Sequence, residues 1–230
     1  MTQLTGEERA RYVHNTFGRI ARRYDLMNRL MTGGQDLRWR RAAIRELNLA
    51  AGDRVLDLGA GTGDLGRETL RQQSGIRLVA ADFSLEMMLA GNESDRLPWL
   101  NADALHLPFP NESFEAVVSG FLLRNVGNLE AALMEQLRIL KLGGRMVVLE
   151  TTRPQRNLIS PLIWLHMHFV IPLIGRLVAN DPEAYRYLPA SSEAFLTAEQ
   201  LAERMAVAGF REVGYRRWMF GTIAIHYGRK

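Results

Sequence analysis

Residues 55–65 read Val-Leu-Asp-Leu-Gly-Ala-Gly-Thr-Gly-Asp-Leu, an apolar run that enters three closely spaced glycines and then a helical pattern. Gly59, Gly61 and Gly63 permit positive φ and let a ligand approach bare backbone. A helix that begins near Gly63 presents free N–H groups and the positive end of its dipole. Such a turn binds a phosphate or an amino-acid carboxylate, so this stretch predicts a strand–turn–helix unit with an anion-binding end.

Two acidic residues follow later strands at positions that suit an adenosine site. A second apolar run ends at Asp82, nineteen residues after Gly63, where a carboxylate accepts both ribose hydroxyls. Asp103 comes just after a short third strand and is placed to accept the adenine amino group, while Ala104 leaves room for the ring. The predicted contacts are completed by two residues at the same edge of the sheet, Phe83 and Gly120.

The identity of the cofactor depends on the acids around the glycine turn. Residues 61–66 also fit the dinucleotide pattern G-x-G-x-x-G, so a nicotinamide-dependent oxidoreductase is an alternative, and a tight turn without a ligand is another. Asp57 and Asp64 would repel a pyrophosphate, whereas Asp57 suits the ammonium group of S-adenosylmethionine. We therefore favour S-adenosylmethionine, held by the turn that runs through Gly59, Gly61, Thr62 and Gly63.

Strand and helix signals alternate over residues 54–150, which indicates a mostly parallel sheet covered by helices on both faces. Residues 7–49 are helical in pattern, with Gly33-Gly34 as an interruption and Asp36 as the predicted N-cap of the helix that follows. Three further elements are expected, a helix at 197–208 and strands at 212–218 and 222–227. We predict one domain over 1–230 in three parts: an N-terminal helical lid (1–50), a cofactor-binding core (51–150), and a region with a substrate-pocket helix and C-terminal strands (151–230).

The composition is that of an ordinary globular protein, with 47% hydrophobic and 23% charged residues. The chain has no cysteine, which excludes disulfides, thiolate metal sites and cysteine nucleophiles. No spacing of other ligands indicates a metal site. The net charge of +4 would suit an anionic membrane or a nucleic acid, but an ordinary basic surface is the simpler interpretation. The N-terminus does not resemble a secretory signal, so we expect a cytoplasmic protein with no nucleic-acid partner.

Three motifs in order along the chain give a resemblance to a known family. The first includes Arg23-Tyr-Asp-Leu-Met-Asn28, the second is Leu123-Arg-Asn-Val126, and the third runs from Asn180-Asp181 to Tyr185-Arg-Tyr-Leu188. In these elements, and over nearly its whole length, the chain resembles the UbiE/MenG family, the C-methyltransferases of ubiquinone and menaquinone biosynthesis. The resemblance implies an α/β, Rossmann-like class I methyltransferase fold with a mostly parallel seven-stranded sheet.

The resemblance also implies a reaction, the transfer of a methyl group from S-adenosylmethionine to a ring carbon of a polyprenylated quinol. The acceptor would be demethylmenaquinol, 2-methoxy-6-polyprenyl-benzoquinol or both. Arg124 and Asn125 would assist deprotonation of the quinol. Because arginine stays protonated, Arg124 is expected to stabilise the quinolate or to orient a water that takes the proton. The family's cofactor contacts match Thr62, Asp82, Asp103 and Ala104. The predicted substrate contacts are Tyr24, Asp25, His168 and Tyr185.

Residues 158–174 form an apolar segment of seventeen residues without Lys, Arg, Asp or Glu. Its length approaches that of a membrane span, but Pro161, Pro172 and two histidines argue against one. We expect a helix at the mouth of a pocket for the isoprenoid tail, in contact with the inner face of the cytoplasmic membrane, with a plain core helix as the alternative. His166 and His168 are two residues apart and should face different directions. Assembly into a homodimer is left open.

Two departures from the family pattern concern the acceptor. Leu122 stands where a small glycine is usual, and residues 189–196 differ from the usual run. Both are expected to border the acceptor pocket, so a methyltransferase for another lipophilic aromatic compound is a further alternative. The cofactor motifs are not affected by these departures.

Overall fold

A seven-stranded sheet forms the centre of the protein. A computed structural model describes residues 6–92, 97–153, 158–179 and 181–230. The strands are β1 (Arg54–Leu58), β2 (Arg77–Asp82), β3 (Trp99–Asn101), β4 (Phe114–Gly120), β5 (Leu140–Thr151), β6 (Arg211–Trp218) and β7 (Ile223–Arg229). They are arranged in the order β3-β2-β1-β4-β5-β7-β6, with β7 antiparallel to β5 and β6 and the other pairs parallel. The predicted mostly parallel seven-stranded sheet is confirmed.

A crevice opens at one edge of the sheet because β1 lies between β2 and β4. Val55 lies opposite Leu78 of β2 and Ala116 of β4. The chain winds outward from β1 to β3, then returns to β4 and winds in the other direction. At such a reversal a crevice opens at the carboxyl ends of the central strands, where α/β proteins bind ligands. The glycine turn follows β1 and therefore lies at this crevice.

Helices flank the sheet, and three of them precede the first strand. Within the described residues they are α1 (Gly6–Ile20), α2 (Tyr24–Thr32), α3 (Gln35–Leu47), α4 (Asp64–Gln72), α5 (Leu85–Asn92), α6 (Leu129–Ile139), α7 (Ser160–Leu165), α8 (Ile171–Ile174), α9 (Pro182–Ala194) and α10 (Ala198–Val207). Short 3-10 turns occur at Ala21–Arg23 and Met219–Gly221, and π-helical turns at His166–Val170 and Gly175–Ala179.

Apolar side chains of the strands alternate between two covered faces. In β4, Val117 packs into a cluster that includes Leu133 of α6 and Leu201 of α10. Its neighbour Val118 packs into a second cluster that includes Trp39 of α3. Successive side chains of a strand point to opposite faces, so a strand covered by helices on both sides reads as a continuous apolar run. This burial explains why the strands of the core were recognisable from the sequence.

A glycine pair sets the start of α3. Gly33 and Gly34 have φ of +58° and +76° and turn the chain sharply after α2. As a result α3 begins at Gln35, and the prediction that Asp36 is its N-cap is wrong. Asp36 lies buried inside the first turn, where its carboxylate forms ion pairs with Arg29 and Arg40. An acid in the first turn still interacts favourably with the helix dipole.

The apolar segment is helical from residue 160, with α7, α8 and the π-helical turns following one another without a break. In the part of the chain that the structure describes, Ser160–Val178 is the one helix long and apolar enough to cross a membrane, with a mean hydropathy of 1.5. Only 6% of it is buried, unlike a plain core helix. The π-helical turn His166–Val170 comes directly before α8, and its wide winding accommodates Pro172 within the continuous helix. Asn180, part of the third motif, lies outside the described residues.

Candidate active site

The glycine turn forms one wall of a cavity of about 550 Å³ at the carboxyl ends of β1, β2 and β4, named here the glycine-turn cavity. Gly59 and Gly61 have φ of +68° and +58°, which a side chain would strain. A Cβ on Gly61 would also lie 3.2 Å from Met87 Cε. Seven of the predicted cofactor contacts line this cavity, Gly59, Gly61, Asp82, Phe83, Asp103, Ala104 and Gly120.

Asp82 is oriented by the backbone on both sides of its carboxylate. Its Oδ2 accepts a hydrogen bond from the Gly61 N–H at 2.7 Å, and its Oδ1 accepts one from the Ser84 N–H at 2.7 Å. Burial raises the pKa of Asp82, and these two N–H groups partly offset that effect. A carboxylate has about four acceptor sites, so each oxygen retains capacity for one hydroxyl. The geometry suits a pair of ribose hydroxyls.

The far end of the cavity is built to receive a flat ring. The Asp103 Oδ1 accepts the Leu105 N–H at 2.9 Å, and Ala104 presents a small, buried side chain beside it. Phe83 is about half exposed and meets the edge of His14 from α1, with 5.6 Å between ring centroids. The cavity therefore has apolar surfaces on which an adenine can lie and a carboxylate near its edge. The N-terminal helix α1 covers part of it.

Three predicted cofactor contacts, Asp57, Thr62 and Gly63, do not line the cavity. Asp57 is fully buried behind the turn, where its Oδ2 accepts the Gly66 N–H at 2.8 Å and its Oδ1 has no hydrogen-bond partner. Burial raises the pKa of Asp57 to about 7. The structure therefore corrects the prediction of a direct ion pair between Asp57 and a ligand ammonium. Asp57 supports the turn from the protein side.

Thr62 connects the turn to the lid. Its hydroxyl donates to Asp25 Oδ1 at 2.6 Å, and Asp25 is the second residue of α2. Burial and the nearby Asp64 carboxylate raise the pKa of Asp25. Asp25 lines neither this cavity nor the second one described below, so the structure corrects its prediction as a substrate contact. It is a link between α2 and the glycine turn.

A second cavity of about 390 Å³, named here the apolar cavity, adjoins the first. Tyr24 and Phe121 line both cavities and form the wall between them. Burial raises the pKa of Tyr24, although the guanidinium groups of Arg124 and Arg40 oppose that shift. The apolar cavity is otherwise lined mainly by apolar side chains of the lid, the apolar segment and the last strands, among them Met31, Trp39, Ile159, Leu162, Met167 and Phe220.

Arg124 lines the apolar cavity near this wall and is almost completely buried. Its guanidinium Nη1 donates to Glu150 Oε1, and its backbone N–H donates to Glu150 Oε2 at 3.3 Å. The guanidinium carbon lies 5.2 Å from the centre of the Phe121 ring, a cation–π distance. Glu150 was not predicted as a site residue. An acid directly after a buried apolar strand, as at Asp82, was the available signal.

Asn125 lines the glycine-turn cavity and is held at both ends of its amide. Its Nδ2 donates to the Phe121 carbonyl at 2.9 Å, and its Oδ1 accepts the Tyr187 hydroxyl at 2.9 Å. Arg124 and Asn125 thus face the two neighbouring cavities from adjacent positions. Both residues lie a few positions beyond Gly120, the last residue of β4, and their catalytic role stays a prediction.

Two predicted substrate contacts lie elsewhere. Tyr185 is fully buried against the N-terminal helices and lines neither cavity. His168 stacks on Trp164 with 4.8 Å between ring centroids, its Nδ1 lies 3.0 Å from the Trp164 carbonyl, and it also lines neither. The structure corrects both predictions. His166 does line the apolar cavity, with Nε2 at 3.0 Å from the Met31 carbonyl. The two histidines face different directions, as the spacing indicated.

The described residues contain no cluster of His, Cys, Asp or Glu that could hold a metal ion. The site is therefore built from a glycine turn, two carboxylates at strand ends, a buried arginine–glutamate pair and an apolar cavity. Asp82 and Asp103 supply acceptors for the adenosine part of a cofactor, and the turn supplies backbone donors.

Comparison with known proteins supports the same interpretation. The model of the ubiE/COQ5 methyltransferase family matches residues 2–230. A ubiquinone/menaquinone biosynthesis C-methyltransferase from Desulfotalea psychrophila is 42% identical over 95% of this chain and 90% of its own. A demethylmenaquinone methyltransferase from Thermus thermophilus is 43% identical over 92% of this chain and 98% of its own.

Solved structures show the same fold at low sequence identity. A methyltransferase from Thermotoga maritima, described as S-adenosylmethionine-dependent and as a possible histamine N-methyltransferase, superposes with a TM-score of 0.64. It is 20% identical and covers 95% of this chain and 99% of its own. At this identity the likeness concerns the fold and carries no information about the acceptor.

Proposed function

Because the chain belongs to the ubiE/COQ5 methyltransferase family, we propose that it methylates a ring carbon of a polyprenylated quinol. Family membership makes the chain an S-adenosylmethionine-dependent methyltransferase, and the quinol acceptor is the proposal. The observation that supports this acceptor most directly is the apolar cavity next to the glycine-turn cavity, with Arg124 at the junction. The two relatives described above are named as a ubiquinone/menaquinone biosynthesis C-methyltransferase and a demethylmenaquinone methyltransferase.

The glycine-turn cavity would hold the cofactor through three sets of groups. Asp82 would accept the ribose hydroxyls, Asp103 and Ala104 would receive the adenine, and the backbone of Gly59 and Gly61 would face the methionine end. When bound there, S-adenosylmethionine supplies an activated methyl group on a sulfonium. Because that methyl group needs little further activation, the protein's part is alignment and control of the acceptor's charge.

The acceptor must be activated, because a ring carbon is a weak nucleophile. Loss of the proton from a ring hydroxyl moves electron density onto the ortho carbon, which can then attack the methyl group in line. The guanidinium of Arg124 would stabilise the resulting phenolate in a site with little water, where such an interaction is strong. Asn125, fixed by Phe121 and Tyr187, would donate a hydrogen bond from the cofactor side.

The apolar segment offers a route for a lipid acceptor from a membrane. Several of its large apolar side chains are exposed and line neither cavity, including Trp164, Phe169 and Leu173, while others on the same turns line the apolar cavity. Exposed arginines lie just beyond its C-terminal end, since Arg176 comes two residues after Ile174 and Arg23 donates to the Val178 carbonyl at 2.5 Å. An anionic bilayer surface on the cytoplasmic side would bind both the apolar face and these cations.

An assay of methyl transfer tests the acceptor. The purified protein in mild detergent is given methyl-labelled S-adenosylmethionine with demethylmenaquinol, with a polyprenyl benzoquinol, or with the oxidised quinone as control. We expect label in a quinol and none in the quinone, because the quinone has no hydroxyl to ionise. Binding of S-adenosylhomocysteine without transfer to either quinol would refute the acceptor. Binding of NADH in its place would favour the oxidoreductase alternative.

Vesicle flotation tests the membrane contact. The wild-type protein should float with vesicles that contain phosphatidylglycerol and much less with pure phosphatidylcholine. Trp164→Glu and Phe169→Glu should reduce flotation at least several-fold, because each places a charge in the apolar face. Met134→Glu is the matched control, since Met134 is equally exposed but lies on α6. Equal flotation of all four proteins would refute a membrane role for the apolar segment.

A further inference from the structure

The acceptor hydroxyl needs a proton acceptor, and Arg124 cannot serve because guanidinium stays protonated. Building on the proposed function, we propose that Glu150 is the base and that the Thr151 hydroxyl relays the proton to it. Glu150 is the last acidic residue of β5, and Thr151 ends the strand. The pair lies at the junction of the sheet and the apolar cavity.

Thr151 connects the apolar cavity to the carboxylate of Glu150. Thr151 lines the apolar cavity, whereas Glu150 is fully buried and does not line it. The Thr151 Oγ1 donates to Glu150 Oε1 over 3.4 Å. That distance is long for a hydroxyl donor, and such contacts in unliganded enzymes commonly tighten when substrate binds. The Thr151 N–H donates to the same oxygen at 2.8 Å and keeps it beside the relay.

The other titratable groups of the cavity are less suited to the task. Tyr24 is a donor at neutral pH, since burial raises the pKa of its phenol. His166 holds Nε2 at 3.0 Å from the Met31 carbonyl, which leaves Nδ1 as its one ring nitrogen able to accept a proton, and Nε2 is not in contact with the Arg124–Glu150 pair. Among the described residues that line the apolar cavity, Thr151 is the one in contact with a carboxylate that also pairs with Arg124.

The Arg124–Glu150 pair also solves a problem of charge. Before the reaction the buried site contains one guanidinium and one carboxylate. After transfer it contains the same guanidinium, a neutral Glu150 and the phenolate, so the number of buried charges is unchanged. Creating an additional isolated charge in a buried site would be very unfavourable. Arg124 exchanges one anionic partner for another, and the proton moves without net charge separation.

In the proposed relay, the acceptor's hydroxyl proton moves to Glu150 before methyl transfer and returns afterwards. The O–H bond of the acceptor breaks and its proton passes to the Thr151 oxygen, while the Thr151 hydroxyl proton passes to Glu150 Oε1. The ortho carbon forms a bond to the methyl group as the S–C bond of the sulfonium breaks, which leaves a neutral thioether. The same ring carbon then loses its hydrogen as a proton to water, and the ring oxygen recovers a proton from Glu150 along the reverse path. One proton is released overall.

Substitution of Thr151 separates the relay from a structural role of Glu150. Thr151→Val preserves shape and leaves the Arg124–Glu150 pair and the Thr151 N–H in place, but it removes the hydroxyl. We expect kcat to fall by about 100-fold, within the usual range for general-base catalysis, with unchanged affinity for S-adenosylhomocysteine. Thr151→Ser should restore most of the rate. Thr69→Val, at another buried threonine on α4, is the matched control and should leave kcat unchanged.

Acceptor acidity gives a second measurement. Glu150→Gln should lose at least as much kcat as Thr151→Val. An acceptor whose hydroxyl is made more acidic by a ring halogen should recover much of the loss in both variants, because it needs less help to ionise. Wild-type rates in Thr151→Val, or a loss in Thr151→Val that no acidic acceptor recovers, would overturn the relay. If the wild-type protein methylates no quinol at all, the proposed function fails and the relay with it.

Discussion

The phenolic hydroxyl of Tyr187 donates to Asn125 Oδ1 at 2.9 Å, across 62 positions of the chain. Asn125 follows β4 and lines the glycine-turn cavity, and Tyr187 lies on α9, beyond the apolar segment. The Tyr187 ring is braced by Tyr12 of α1, with 5.4 Å between ring centroids in an edge-to-face arrangement. The orientation of a predicted catalytic amide therefore depends on α1 and α9, two helices that lie far apart in the sequence.

Removing the Tyr187 hydroxyl should release the Asn125 amide. Tyr187→Phe retains the ring and its contact with Tyr12, so the fold should be preserved. A lost hydrogen bond of about 1 kcal/mol corresponds to a fall in kcat of roughly five- to tenfold if the amide must be oriented in the transition state. Steady-state kinetics with a fixed quinol would measure it. Tyr215→Phe, which removes an exposed hydroxyl bonded to Glu199, is the control, and equal kcat in the two variants would contradict the prediction.

Breaking the Arg124–Glu150 pair should cost stability as well as activity. Arg124→Ala leaves the fully buried Glu150 without its cation, and a buried charge without a partner typically costs about 3–5 kcal/mol. The free energy of unfolding in urea should fall by that amount. The double variant Arg124→Met with Glu150→Leu should regain most of the stability while remaining inactive.

An exposed ion pair provides the comparison for this measurement. Arg204 and Glu130 are 3.0 Å apart with both side chains about half exposed. Arg204→Ala should lower the free energy of unfolding by less than about 1 kcal/mol. Similar losses at the exposed and buried pairs would show that Glu150 is not the isolated charge described above.

The stability of the protein should depend on pH through Asp57. Burial raises the pKa of Asp57 from 3.8 to about 7. The folded state therefore binds a proton that the unfolded chain has lost, and stability falls as pH rises from about 4 to about 7. The destabilisation is absent below pH 3.8 and complete above pH 7, with a size on the order of 4 kcal/mol.

Asp57→Asn should remove this dependence. The amide oxygen can still accept the Gly66 N–H, and no ionisation occurs. Urea unfolding from pH 5 to pH 8 should show the wild-type protein losing stability relative to the variant. Parallel curves would contradict the shifted pKa. A large loss of S-adenosylhomocysteine affinity in the variant would revive the direct contact with the cofactor ammonium that the structure does not support.

The Thr62–Asp25 hydrogen bond should hold the lid on the glycine turn. Thr62→Val removes the donor to Asp25 at nearly constant volume. We expect faster dissociation of S-adenosylhomocysteine, by roughly tenfold or less, and faster proteolysis within α1 and α2 of the free protein. Stopped-flow displacement and limited trypsin digestion measure the two effects. A dissociation rate equal to that of the wild-type protein would show that Asp25 and Thr62 do not fasten the lid.

Local patterns predicted the parallel strands and the glycine turn, while the cofactor contacts stay predictions. The strands that end at Leu58 and Asp82 are apolar runs followed by residues with restricted roles, glycine in a tight turn and acid at a strand end. Their spacing within βα units is short, so periodicity and turn chemistry determine it. The same reasoning failed at Asp36, because Gly34 allowed α3 to begin earlier than the capping pattern suggested.

The acceptor side depends on contacts between distant parts of the chain. Arg124 meets Glu150 because Gly120 of β4 lies opposite Leu149 of β5, a register that no local pattern specifies. Tyr187 reaches Asn125 only through the packing of α9. Asp57 and Tyr185 both lie in motifs that suggest a functional role. Tertiary packing, which a motif does not specify, places both side chains in the core.

The two cavities draw their walls from different parts of the chain. The glycine-turn cavity takes much of its lining from the turns that follow β1, β2 and β3, whereas the apolar cavity is lined largely by the lid, the apolar segment, α9 and the final 3-10 turn. Substitutions in these flanking regions can therefore reshape the apolar cavity while the turns that follow the strands keep their sequence. A change of methyl acceptor would therefore require no change in the residues proposed to bind the methyl donor.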